Sequence, residues 1–104
     1  MRIRKTTQGY SIECEKRDRG RKNFTVAKQL LESLLFLAKE KEEDSLQAVY
    51  DLLLGNTRQQ IDEILLKQGN KNPYAQKYLK QPEDMRNRAA EIILAVSGDY
   101  LHTH

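Results

Sequence analysis

From Thr25 onward the apolar residues recur every three or four positions; before it they alternate over a stretch too short for a helix. Thr25, or Asn23, can cap a first helix running to about Lys41. Val26, Ala27, Leu30, Leu31, Leu34, Leu35 and Ala38 form its broad i, i+4 stripe, widened by Phe36 and Leu37. Lys28, Gln29, Glu32 and Ser33 are its polar positions, and this helix is expected to be the most buried element. A charged link, Lys39 to Glu43, leads to Asp44, which caps a second helix with Gln47 in a capping-box position. Its inward residues are Leu46, Val49, Tyr50, Leu53 and Leu54, and Gly55 suits a left-handed stop. Asn56 or Thr57 caps the third helix, with Ile61, Ile64 and Leu65 inward and Gly69 as its end. Asn72-Pro73 starts a fourth, in which Tyr74, Ala75, Tyr78 and Leu79 share a face. Pro82-Glu83-Asp84 opens the fifth, where Met85, Ala89, Ile92, Ile93 and Val96 make the stripe. Gly98 is expected to end it, leaving 99–104 as a tail.

The first fifteen residues read as a β-hairpin. A turn at Gln8-Gly9 pairs Arg2 with Glu15 and Arg4 with Glu13 on one face, and Ile3 with Cys14 and Lys5 with Ile12 on the other. A three-residue loop would shift that register. An isolated hairpin is barely stable in water, so its Ile3, Tyr10, Ile12 and Cys14 face is expected to lie on the helices. Lys16 to Lys22 contains no apolar residue and reads as an exposed basic loop, after which Phe24 re-enters the core at a third strand or before a helix cap. The expected fold class is therefore mainly α: an N-terminal β-hairpin, about residues 2–15, packed on a compact bundle of about five short helices. At 104 residues the chain is expected to be one domain, with a basic hairpin and loop at 1–24, a helical body at 25–98 and a tail at 99–104.

Charge sharpens this picture. The formal net charge is +3, and residues 1–24 carry eight Lys or Arg against three acids, whereas the remaining eighty carry ten against twelve. Apolar residues make up 38% and charged residues 32%, a polar balance that suits a thin core, an exposed binding face or an oligomer. No stretch approaches the roughly 18 apolar residues of a membrane span, and the charged N-terminus lacks the apolar run of a signal peptide. One cysteine, Cys14, makes no internal disulfide and has no companions for zinc. These features lead to the expectation of a cytoplasmic protein with no membrane association.

Chemistry-bearing constellations are few. Cys14 has no histidine in the body of the chain to activate it, and His102 and His104 stand on the terminal tail. There is no phosphate-binding loop, dinucleotide fingerprint or nucleophile elbow. The expectation is a protein with no catalytic residue, no metal and no cofactor. Two binding features remain. Lys16, Arg17, Arg19, Arg21 and Lys22 could contact phosphates or an acidic protein. The junction from Gln47 to Ile64 partly resembles a helix-turn-helix, with Arg58, Gln59 and Gln60 at the end of the second helix that reads base edges. Asp51 stands where that motif wants a small apolar residue, Asn56 where it wants an apolar one, and Asp62 and Glu63 would repel phosphates; an ordinary αα-hairpin is the competing reading. Finally, Leu34 to Leu37 and Leu52 to Leu54 are apolar runs that cover nearly every helix face. One helix wrapped by the others, or a face paired with a second copy or partner, would cover them. The leading expectation is a regulatory or accessory protein-interaction module, self-associating as a homodimer or bound to a protein partner. In it Leu35, Phe36 and Leu37 anchor, and the basic residues steer an acidic partner. The alternative is a small DNA- or RNA-binding regulator that uses the same basic loop and the α-hairpin corner.

Overall fold

The computed structural model describes the backbone of residues 2–6, 9–13, 21–42 and 46–103, and the side chains of residues 23–42 and 46–95. Five helices make up most of this: α1 (Arg21–Glu40), α2 (Leu46–Leu54), α3 (Arg58–Gln68), α4 (Pro73–Leu79) and α5 (Glu83–Thr103), with a 3-10 turn (Gly69–Lys71) between α3 and α4. The radius of gyration is 12.7 Å, close to the ~13 Å of a folded chain of this size. The helices thus form a compact globule.

The centre of that globule is α1, which packs against α2, α4 and α5. Val26, Ala27, Leu30, Leu31, Leu34, Leu37 and Ala38 are buried along it, the broad stripe that the helical period demands. The helix starts four residues before the expected Thr25 cap, so Thr25 is an exposed residue inside it. The reason is phase: Phe24 precedes Ala27 and Leu31 by three and seven residues and packs against the same core. Phe24 is thus helical and belongs to no third strand. Ser33, expected as a polar surface position, is fully buried. Its hydroxyl donates to the Gln29 carbonyl at 2.7 Å, which makes the burial tolerable.

Against α1, α2 contributes Leu46, Ala48, Val49 and Leu53. Leu54, expected to face inward, is 59% exposed. Consecutive helical residues diverge by roughly 100°, and Leu53, in phase with Leu46 and Val49, takes the inward place. Asp44 lies outside the described residues, and Gln47 donates to Asp51 Oδ1 at 2.8 Å. Gly55 does not adopt the expected left-handed conformation; its N–H closes the last turn on the Asp51 carbonyl at 2.8 Å. The Asn56 side chain then donates to the Leu52 carbonyl at 2.9 Å, satisfying a helix-end acceptor without a left-handed residue.

Thr57 caps α3 in a full capping box: its hydroxyl accepts from the Gln60 N–H at 3.1 Å, and its own N–H donates to Gln60 Oε1 at 2.8 Å. Ile61 and Leu65 are buried. Gly69 stops α3 as expected, at φ 56° and ψ −136°, a region that other residues rarely enter. Asn72 and Pro73 start α4 as read from the sequence. Helix α5 departs from expectation at its far end, running through Gly98 to Thr103. One internal glycine costs a helix only about 1 kcal/mol relative to alanine, less than the remaining turns can recover.

At the N-terminal end, β1 (Arg2–Thr6) and β2 (Gly9–Glu13) pair antiparallel, with Arg2 opposite Glu13, Ile3 opposite Ile12 and Thr6 opposite Gly9. This register is two residues shorter than the expected one, so Gly9 is a strand residue. It still opposes arginine to glutamate and sets the isoleucines on one rung, combinations that favour an antiparallel pair. Cys14 and Glu15 lie outside the described residues.

Candidate interaction surface

The residues expected to bind fall in three places. Lys16, Arg17 and Arg19 lie outside the described residues. Arg21 and Lys22, expected in the basic loop, have their backbone in the first turn of α1. Arg58 is half-buried at the start of α3, whereas Gln59 and Gln60 are exposed. The Gln60 oxygen is committed to the capping box, which leaves only its amide N–H groups for any base edge. Of the expected apolar anchors, Leu37 is 3% exposed and belongs to the core, so it has no surface to offer. Leu35 is partly buried and packs against the core. Phe36 is half-buried. Its ring centroid lies 6.3 Å from that of Tyr74 at an interplanar angle of 59°, within the range of tilted aromatic pairs.

That pair leads to a surface the sequence reading passed over. Residues 64–82 contain Lys67, Lys71, Lys77 and Lys80 and not one Asp or Glu. All four lysines are exposed, and none forms an ion pair among the described residues. The signal was present in the sequence, but counting charge over residues 25–104 as one block averages this stretch with its acidic neighbours.

Four hydrogen bonds help to position α4 so that this face points outward. Asn72 is fully buried; its Oδ1 accepts from the Ala75 N–H at 3.2 Å, capping α4, and its Nδ2 donates to the Ser33 carbonyl of α1 at 3.1 Å. At the other end Gln81 Nε2 donates to Gln29 Oε1 of α1 at 3.1 Å. On one flank Gln76 Nε2 donates to Asn70 Oδ1 at 2.6 Å. Ala75 and Tyr78 are buried. At roughly 100° per residue, Tyr74 therefore lies on the flank beside Phe36, Gln76 on the opposite flank, and Lys77 and Lys80 between them, facing away from the core. Tyr74, expected inward, is 39% exposed, for the same angular reason.

Beneath this face a polar cluster ties α3, α4 and α5 together. Arg86 Nη1 donates to Asp62 Oδ2 at 2.5 Å, and the Tyr78 hydroxyl donates to the Arg86 carbonyl at 3.3 Å. Burial pushes the Asp62 carboxyl above its ordinary 3.8, and the neighbouring Arg86 guanidinium offsets that only in part. Burial likewise raises the Tyr78 phenol, reinforced by the Asp62 charge. Asp62 Oδ1 and Arg86 Nε are buried with no hydrogen-bond partner among the described residues.

Among the described residues, no three His, Cys, Asp or Glu side chains gather as a metal site, and no helix is long and apolar enough to cross a membrane. No protein-family model, curated protein or solved structure matches this chain.

Proposed function

We propose that this chain is a non-enzymatic regulatory or accessory protein acting in the cytoplasm as a protein-interaction module. One observation carries the reading: four exposed lysines and Tyr74, whose ring meets Phe36 of α1, share an acid-free segment around a helix clamped to α1 at both ends. A clamped surface loses little entropy on binding, which favours recognition over mere solvation. In this reading the N-terminal hairpin, about residues 2–15, packs on the bundle, and Lys16, Arg17, Arg19, Arg21 and Lys22 extend the positive field that steers an acidic partner. Leu54 and Leu66, 59% and 69% exposed, add apolar area for a partner or a second copy.

Capture from nuclease-treated lysate, followed by direct binding of the purified captured protein, tests this. Saturable binding of a defined protein is the expected result, and capture that vanishes with nuclease would overturn it. A second reading, a small DNA- or RNA-binding regulator, is favoured by the clustering of positive charge in residues 1–24 and 64–82. It requires affinity for duplex or single-stranded nucleic acid that falls steeply as salt rises. The corner residues Gln59 and Gln60 add less to it than their positions suggested, because the Gln60 oxygen caps α3.

A further inference from the structure

We infer that the outward face of α4 docks a short acidic segment of another protein, one carrying an apolar or aromatic side chain that settles against Tyr74 and Phe36. This rests on the protein-interaction reading and names the chemistry of its partner. The positive side of the match is Lys77 and Lys80, exposed and free of ion pairs among the described residues. Its apolar side is Tyr74, 39% exposed, which makes a tilted contact with Phe36.

Three features favour a short acidic peptide over a nucleic-acid strand. The outward positive zone is small: Lys77 and Lys80, three residues apart, are separated by roughly 5 Å along the helix axis. Along the chain it gives way to acid: exposed Glu63 stands one turn before Lys67, and exposed Glu83 and Asp84 follow Lys80 by three and four residues. A short acidic peptide needs no more positive surface than this, whereas a nucleic-acid strand gains with each further phosphate neutralised. The cations are all lysine, with none of the planar arginine forks that grip phosphate in two-point fashion.

The test uses the full chain and a labelled synthetic peptide of Asp and Glu around a central Leu-Phe pair, read by fluorescence anisotropy. Comparison peptides replace the acids by Asn and Gln, or the Leu-Phe pair by Ser-Ser, and a labelled oligothymidine of equal charge serves as the nucleic-acid probe. The acidic peptide should bind, with the Asn/Gln peptide at least about tenfold weaker. The double variant Lys77→Glu, Lys80→Glu should lose at least about tenfold for the acidic peptide; if it melts early, Lys77→Gln, Lys80→Gln is read in its place. Tyr74→Ser should weaken the Leu-Phe peptide several-fold and leave the Ser-Ser peptide unchanged, which charge alone would not produce. Equal binding of acidic and neutral peptides, or indifference to both lysine pairs, overturns the inference. So does tighter binding of oligothymidine. A captured protein that binds wild type and the charge-reversed chain alike would sink the α4 site and leave the interaction-module reading standing, whereas capture that vanishes with nuclease would sink that reading itself.

Discussion

Glu42 is the one described non-glycine residue with positive φ, at 60°, just past the end of α1. Its N–H donates to the Lys39 carbonyl at 3.0 Å, so the left-handed turn closes the helix even though a side chain resists it. A carboxylate there also opposes the negative end of the helix dipole. Glu42→Gly should therefore raise stability by about 0.5–1 kcal/mol in a urea melt, since glycine takes this conformation without strain. Asp62 offers a test of opposite character. Its carboxyl is raised above 3.8 by burial, so the folded chain holds that proton more firmly than the unfolded one. Stability from this group is present below the unfolded value and is lost as pH rises through the higher folded value. Side-chain NMR should give Asp62 a midpoint above 3.8, and Asp62→Asn should remove that slope from the stability profile between pH 3.8 and the Asp62 folded midpoint.

Among the helix ends, those of α3 and the start of α4 were legible in the sequence. The Thr57 cap, one of two candidates, the Gly69 stop and the Asn72-Pro73 start depend on residues within four positions of the helix end, so local sequence suffices to propose them. The second role of Asn72 was not readable, because its partner, the Ser33 carbonyl, lies 39 residues away. Asn72→Ala removes the α4 cap and leaves a buried acceptor on α1 poorer by one bond. The combined cost is expected at about 2–4 kcal/mol, measured by chemical denaturation, with Asn72→Asp failing to restore the bond to Ser33. The end of α5 was misjudged for a complementary reason: Gly98 breaks local propensity, yet a helix already committed to a core over Ala89, Ala90 and Ile93 tolerates one glycine.

Across the whole molecule, the apolar runs divide between core and surface. Leu34 and Leu37 are core residues, Leu35 and Phe36 are partly buried, and Leu54 is 59% exposed; outside those runs, Leu66 is 69% exposed. Leu37→Ala should cost about 2–5 kcal/mol by thermal or chemical melting, as large-to-small core changes do. Leu66→Ser should stay within about 0.5 kcal/mol; a comparable loss there would show that Leu66 is covered in solution. The acid-free lysine segment was visible in the sequence, but that it meets Phe36 through Tyr74, across 38 residues, was not. From the sequence alone came the number of helices, the ends at Thr57, Gly69 and Asn72-Pro73, and the stripe that α1 would bury, because period and local capping are set by near neighbours along the chain. The tertiary structure decided which member of each apolar run goes inward, and that Ser33 and Asn72, both polar, go with it. Burial depends on which helix lies opposite, and a polar group enters a core only where that helix supplies its hydrogen bond.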